Sequence, residues 1–247
     1  MCKSASFVLT EADCYFSAET DSHEKIGKAH GVPMMPAGRN AVVFVEAHPT
    51  GALRAWEKWE IEVDTPEDDL PMWFADDRQT HLNRARAAIP RYVKAKFKAR
   101  KGGGLEVVGD LTVYDWAKEA LAEVVKIGGN LTVRGRVTLK ALTECGDLTV
   151  GDWATLKADA LTRCGNLYVY DRATLKADAL TECGNLTVSG RATLKADALT
   201  RCGNLYVYGR TTLKADALIE CGNLHVDGSL HAPALKTVNG QPYRQKR

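Results

Sequence analysis

Four residues near the amino terminus have side chains that could support covalent chemistry, and they are Cys2, Cys14, His23 and His30. A cysteine nucleophile needs a neighbouring base, and removal of Met1 would leave Cys2 as an amino-terminal thiol. Residues 21–24 also fit a helix capping box, in which an acid at the cap is followed three positions later by a glutamate. We predict a helix start at this segment, and Cys2 and His23 remain the candidate catalytic residues of an alternative, enzymatic function.

Other catalytic signatures are missing from the sequence, which has no Walker loop, dinucleotide-binding fingerprint, Gly-x-Ser-x-Gly motif or Cys-x-x-Cys pair. Five further cysteines recur once every 19 residues, at Cys145, Cys164, Cys183, Cys202 and Cys221. A single file of thiols cannot surround a tetrahedral ion, although neighbouring thiols could come close enough for disulfides. We predict reduced core thiols, with no metal ion and no other cofactor.

Tyrosine and arginine residues also recur at a fixed spacing. Tyr168 and Tyr170 return 38 residues later as Tyr206 and Tyr208. These residue types dominate protein interfaces because they offer a large contact area at low entropic cost. We predict a binding surface formed by Tyr168, Tyr170, Tyr206, Tyr208, Arg172, Arg191, Arg210 and Trp153. The alternative is that the tyrosines only stack across strands and support a sheet.

The elements that position these residues are repeats of 19 residues. From Cys145 onward each unit reads Cys-Gly-Asn/Asp-Leu-x-Val, a turn, and then Ala/Thr-Thr-Leu-Lys-Ala-Asp-Ala-Leu, and two looser copies precede it. Apolar residues alternate with polar ones in each unit, which is the period of a β-strand, and Gly-Asn and Ser-Gly pairs supply the turns. The sequence predicts an all-β parallel solenoid of about seven coils, in which equivalent residues form columns about 4.8 Å apart.

Charged residues on the predicted outer surface form columns too. Five lysines are expected in one register, with aspartates two residues further along: Lys140, Lys157, Lys176, Lys195 and Lys214. We predict that the two columns neutralise each other, whereas a lysine strip matched to phosphates is the alternative. A further column alternates in sign from Glu144 through Arg163 to Glu220, which predicts ion pairs between coils and penalises a slipped register.

The first hundred residues have no repeat, and the sequence predicts an α+β amino-terminal domain at 1–101, the solenoid at 102–238 and a basic tail at 239–247. We expect a hairpin from Ser6 to Ala18, a short helix from Ser22 to His30, and strands at 41–47 and 59–63. A second helix is expected from Ala75 to Ala88, ended by Pro90. The alternation of 91–101 favours a strand with exposed lysines, and a helix is the alternative.

Two resemblances extend this interpretation. The repeats, with Gly-Asn-Leu-Thr-Val, Ala-Thr-Leu-Lys-Ala and the ending at 232–238, resemble short β-solenoid repeats of bacterial and phage proteins often described as leucine-rich-like. The amino-terminal segment, with Met-Cys-Lys-Ser at 1–4, Thr-Asp-Ser-His-Glu at 20–24 and Leu-Pro-Met-Trp-Phe at 70–74, resembles an uncharacterised domain that precedes solenoid tails in phage and prophage proteins. The resemblance implies a phage or prophage origin and no particular activity.

Composition narrows the choice of partner. The 33 basic and 31 acidic residues leave a net charge of +2, so no global field favours nucleic acid or a membrane surface. The sequence has no secretory signal and no apolar run long enough to span a bilayer, so we expect a cytoplasmic protein. We predict a non-enzymatic protein that binds, and possibly inhibits, a host protein or defence complex. Nucleic-acid binding and a homodimer are the further alternatives.

Overall fold

The computed structural model describes residues 5–34, 41–116 and 120–243. Cys2 and the basic tail at 244–247 lie outside these ranges. The amino-terminal unit contains four strands and three helices: β1 Ala5–Leu9, β2 Cys14–Tyr15, α1 His23–Ala29, β3 Val43–Pro49, β4 Trp59–Val63, α2 Met72–Asp76 and α3 Arg78–Lys96. Two short 3-10 turns, Trp56–Lys58 and Glu67–Asp69, flank β4.

The four strands form an antiparallel sheet in the order β2-β1-β3-β4. The hairpin, the short helix and both predicted strands of this unit are confirmed. One face of the sheet packs its buried Phe7, Val43 and Val45 against the same core as α3, which contributes Ile89 and Tyr92. The other face contacts α1 through a smaller cluster around Val8 and Ile26. Each face therefore carries one of the two period-2 sets of side chains.

The prediction that Pro90 ends the second helix is wrong. α3 runs to Lys96 with Pro90 inside it, and the strand expected over 91–101 is reduced to β5, Phe97–Ala99. A proline removes one helical hydrogen bond, but Tyr92 and Val93 are buried beyond it. Burial of these side chains compensates for the lost hydrogen bond, so the helix continues through the proline.

The remaining strands are short and belong to the solenoid. Their bounds are β6 Leu105–Val107, β7 Leu111–Val113, β8 Val124–Ile127, β9 Leu131–Val133, β10 Arg136–Thr138, β11 Leu148–Val150, β12 Thr155–Lys157, β13 Leu167–Val169, β14 Thr174–Lys176, β15 Leu186–Val188, β16 Thr193–Lys195, β17 Leu205–Val207, β18 Thr212–Lys214, β19 Glu220–Cys221, β20 Leu224–Val226, β21 Ser229–His231, β22 Thr237–Val238 and β23 Gln241–Pro242. About seven coils stack from roughly residue 105 to 238, as predicted.

Each coil has three sides. The first side is a seven-stranded parallel sheet from β7 to β20, and the second is a six-stranded sheet from β10 to β21. The third side consists of single parallel bridges that join the alternating charges, from Lys126 through Glu144 to Glu220. The leucines, valines and alanines that alternate within each unit are buried. The core is one continuous cluster from Ala5 to Ala232, and it therefore includes both the amino-terminal unit and the solenoid.

The charged columns behave as predicted, with one correction. Lys195 Nζ lies 2.9 Å from Asp178 and 2.8 Å from Asp197, so each ammonium is held between carboxylates of two coils. Lys157 pairs in register with Thr138, and Lys140 is therefore not in the lysine column. The corner before β10 is two residues shorter than the corner before β12, which moves Lys140 by the same amount. The spacing of identical residues alone could not reveal that deletion.

Both ends of the coil stack are covered. At the start, β5 pairs antiparallel with β6, and the Asp110 backbone N–H donates to the Glu19 carbonyl of the amino-terminal unit at 3.2 Å. At the other end, β22 pairs with β19 and turns back into β23. Within the described residues, we find no helix that is both long and apolar enough to cross a bilayer.

Candidate functional site

The predicted tyrosines lie on the outer surface of the seven-stranded sheet, which we call the tyrosine face: Tyr168, Tyr170, Tyr206 and Tyr208. Tyr168 stands between Thr149 and Thr187 of the adjacent coils, and Tyr206 stands between Thr187 and His225. Bulky rings alternate with small side chains along the column, because two adjacent tyrosines would crowd at the strand spacing. The tyrosine face is therefore a relief of ridges with shallow gaps between them.

Ring contacts fix the orientation of these side chains. The Tyr206 and Tyr208 rings stack with centroids 6.0 Å apart and planes 12° apart, and Tyr208 also lies 5.0 Å from the His225 ring. The Tyr170 ring covers Gly151 of the preceding coil, where a Cβ would collide with it. Tyr168 and Tyr208 keep 36% and 37% of their surfaces exposed. The face combines rigid ring positions with accessible edges, so little side-chain entropy would be lost on binding.

The corner that follows this sheet carries the predicted tryptophan and arginines, and we call it the arginine corner: Trp153, Arg172, Arg191 and Arg210. Its turn requires a left-handed residue in each coil, which is Asp152 at φ 57° in one coil and Gly190 at φ 77° two coils later. Aspartate and glycine tolerate this backbone region better than other residues do. The turn brings the following side chain out of the solenoid in every coil.

Trp153 and Arg172 form the most exposed contact of the arginine corner. Trp153 is 70% exposed, and the Arg172 guanidinium carbon lies 4.2 Å from the centre of the Trp153 ring. A concavity of about 370 Å³ adjoins this pair and extends to Arg191. A guanidinium held over an indole ring is attracted by the ring's quadrupole. An exposed tryptophan at such a stack resembles an interface anchor more than a core residue.

The candidate catalytic residues are separated from this surface. His23 is the first residue of α1, is only 8% exposed, and stacks on Phe44. Burial lowers the pKa of His23, so its imidazole is neutral near pH 7. Cys2 lies outside the described residues. The larger depressions of the amino-terminal unit, of about 680 and 690 Å³, are lined by other residues than His23.

The cysteine column is confirmed as part of the core. Cys145, Cys164 and Cys202 are buried, and all five thiols of the column are free. Burial raises the pKa of Cys164 to about 12, and the neighbouring Asp147 adds to the shift. A thiol with such a pKa is protonated at neutral pH and is therefore a poor nucleophile and metal ligand.

Two features of the candidate sites were not predicted from the sequence. His225 occupies the same register position as the tyrosines, and its place in Asn223-Leu224-His225-Val226 is the signal that could have found it. The second feature is a contact of His23 with Glu46 and Asp64, which come from three different elements. These residues are 18 or more positions apart in the chain, and no spacing rule connects them.

The comparisons with known proteins support the repeat architecture. The profile of one family, described as repeats of unknown function (DUF5649), matches residues 170–224. This segment includes Tyr170, Tyr206, Tyr208 and all three arginines of the arginine corner. A search of curated proteins found no match, and a search of solved structures also found none. The chain is thus a repeat protein with a β-solenoid, an architecture consistent with a role in protein interaction.

Proposed function

We propose that this protein is a non-enzymatic binding protein of phage or prophage origin, which docks on a host protein and inhibits it by covering its working surface. The observation that supports this most is the combination of exposed Trp153 stacked on Arg172 with the adjoining tyrosine face. Aromatic and arginine side chains on a rigid support are the usual energetic centre of a protein interface. The phage origin rests on the resemblance of the repeats and of the amino-terminal segment.

The geometry favours a protein surface over nucleic acid as the partner. The second sheet carries lysines, but Lys176, Lys195 and Lys214 each lie within 3.2 Å of aspartate oxygens. Phosphates would have to compete with these carboxylates, which weakens the electrostatic part of nucleic-acid binding. The enzymatic alternative is not favoured, because the buried His23 would be reached by a substrate only after α1 moved.

The proposal is tested by affinity capture from bacterial host lysate, with all four residues of the tyrosine face changed to alanine. The matched control changes four exposed threonines of the second sheet to alanine: Thr155, Thr174, Thr193 and Thr212. We expect the unmodified protein and the control to retain one host protein, and the tyrosine variant to lose it. Loss of several aromatic anchors predicts an affinity more than about 100-fold lower.

Three results would contradict the proposal. The first is equal capture by the tyrosine variant, which would exclude the tyrosine face. The second is loss of the captured material after nuclease treatment, which would point to nucleic acid. The third is capture of a second copy of this chain alone, which would indicate a homodimer. Circular dichroism of each variant verifies that the solenoid is intact, because the substitutions lie on its outer surface.

A further inference from the structure

A compact polar cluster lies on the face of the amino-terminal sheet that α1 covers, and it is independent of the proposed docking function. The cluster consists of His23 at the start of α1, Glu46 in β3 and Asp64 immediately after β4. One possible ligand atom from each side chain lies within 4.8 Å of the other two. His23 Nδ1 and Asp64 Oδ2 are 3.9 Å apart. Nitrogen and oxygen atoms of three elements thus converge on one point.

The orientation of the His23 ring shows which nitrogen faces the acids. The ring stacks on Phe44, with centroids 4.6 Å apart and planes 18° apart. His23 Nε2 lies 3.5 Å from the Val45 carbonyl oxygen, which can only accept a hydrogen bond. A neutral imidazole that donates through Nε2 carries its lone pair on Nδ1. The lone pair of Nδ1 therefore points to the side of the ring where the carboxylates are.

Burial makes a cation the natural complement of this arrangement. Glu46 is 2% exposed, and Glu62 lies directly opposite it in the β3–β4 pairing. Burial also lowers the pKa of His23, which opposes a second proton on the ring. Carboxylates around a neutral imidazole create a negative potential that a divalent ion would neutralise. The Asp64 side chain is 36% exposed, so an ion could enter from that side.

We propose that His23, Glu46 and Asp64 bind one divalent transition-metal ion of the Zn²⁺ or Mn²⁺ class. The ligands are Nδ1 of the histidine and one carboxylate oxygen from each acid. Imidazole suits Zn²⁺ and carboxylates suit both ions, and three protein ligands leave a position open for water. With bonds of about 2.0 to 2.1 Å, ligand atoms around zinc lie about 3.3 Å apart. The side chains therefore need to close by about an ångström.

The Val45 carbonyl and the Phe44 ring are the positioning groups of the proposed site. Metal-binding histidines normally donate their second N–H to a carbonyl or carboxylate, which fixes the ring. The contact of Nε2 with Val45 fulfils this role, and Phe44 limits rotation of the ring. Both groups belong to β3, the same strand that supplies Glu46. One strand would therefore set the geometry of two of the three ligands.

The test is metal titration of the full chain after chelator treatment. We expect one equivalent of Zn²⁺ by calorimetry and one equivalent of Mn²⁺ by electron paramagnetic resonance. The Mn²⁺ measurement is included because thiols of this cysteine-rich chain bind Zn²⁺ but not the harder ion. Glu46→Gln and Asp64→Asn keep the side-chain shapes and remove the charges, and each should weaken binding of both ions by more than about tenfold.

His48→Gln is the matched control. His48 and Glu60 lie on the same face of the sheet, 3.3 Å apart, and neither belongs to the cluster. This variant should bind both ions as the unmodified protein does. The absence of a Mn²⁺ equivalent, or equal binding by the Asp64→Asn and His48→Gln variants, would overturn the site. Thermal unfolding in the presence of chelator checks that Asp64→Asn is folded, since Asp64 is partly exposed.

Discussion

At the residue scale, the clearest departure from expectation is Lys96. Its side chain is fully buried, with Nζ 3.8 Å from Asp21 Oδ1 and donating to the carbonyl oxygen of Asp110. The Tyr92 hydroxyl donates to the same carboxylate oxygen at 3.4 Å. Burial raises the pKa of Asp21 to about 6 and lowers the pKa of Lys96. This pair connects the amino-terminal unit to Asp110 in the first coil of the solenoid.

Lys96→Met is predicted to destabilise the protein, because it leaves the Asp21 carboxylate buried without its cation. Removing one partner of a buried ion pair typically costs about 3 to 5 kcal/mol. The double variant Lys96→Met with Asp21→Asn should recover a large part of this loss, since no buried charge remains. Urea denaturation followed by circular dichroism measures the free energy of unfolding of each variant.

Lys98→Met is the control for this prediction. Lys98 is exposed in β5 and its Nζ donates to the carbonyl of Lys94, so the change should stay within about 0.5 kcal/mol. Equal stability of the Lys96→Met variant and the Lys98→Met control would show that the buried pair does not hold the first coil in place.

The sequence could predict most outward residues of the repeats, but not Lys96 or His23. In the solenoid, each residue type is repeated at one position, so the copies confirm one another. Lys96 occurs once, between Lys94 and Lys98, and alternation suggested that all three are exposed. The helix instead turns Lys96 inward beside Tyr92, four residues earlier. Similarly, the position of Glu46 beside His23 depends on how the sheet and α1 pack together.

At the element scale, hydrogen-bonded ladders hold the corners of successive coils together. The backbone N–H of Asn185 donates to Oδ1 of Asn166 at 2.9 Å, and Asn185 Oδ1 accepts from the Asn204 N–H at the same distance. A glycine precedes each of these residues, because the side-chain oxygen of the preceding coil occupies the space of a Cβ. The Gly-Asn pair of the repeat is explained by this ladder.

A second ladder runs along the third side of the solenoid. The Thr162 hydroxyl donates to the carbonyl of Thr143 at 3.0 Å, and Thr181 and Thr200 repeat the contact in the next coils. Side chains that satisfy backbone carbonyls at a corner replace the hydrogen bonds that a strand would make. The sequence predicted turns at these corners, whereas the identity of each donor and acceptor required the register of the coils.

Asn185→Ala is predicted to destabilise the solenoid by about 1 to 2 kcal/mol, because it removes the acceptor of a buried ladder hydrogen bond. Asn223→Ala serves as the comparison. Asn223 is exposed at the end of the ladder, where its backbone N–H donates to Asn204 Oδ1. Its side chain therefore contributes less, and the change should cost no more than about half as much. Thermal unfolding of both variants measures the difference, and equal losses would argue against the ladder.

The sequence predicted the elements of the amino-terminal unit unevenly. β4 was located at its observed bounds because Trp59–Val63 alternates clearly, and the capping pattern located α1 within one residue of each end. The helix α3 was predicted too short, since a single proline was given more weight than the buried residues beyond it. Local turn and cap signals were thus reliable, whereas tertiary packing decided the length of α3.

At the scale of the whole molecule, the protein is a stiff stack closed by the amino-terminal unit at one end and by β22 and β23 at the other. Identical positions on successive coils turn one favourable residue into a column, and a column into a surface. The tyrosine face and the arginine corner are adjacent because one follows the other by a few residues in every coil. We propose that this pairing of surfaces is what the repeats present to a partner.

The most direct measurement of the central claim uses a photo-crosslinking amino acid in place of Thr187, which lies between the two tyrosine pairs. A matched protein carries the same amino acid in place of Thr193, which is exposed on the second sheet. Illumination in host lysate, followed by mass spectrometry, identifies any protein attached at each position. We expect one host protein attached through position 187 and not through position 193. Attachment only at position 193, or equal attachment at both, would contradict the account.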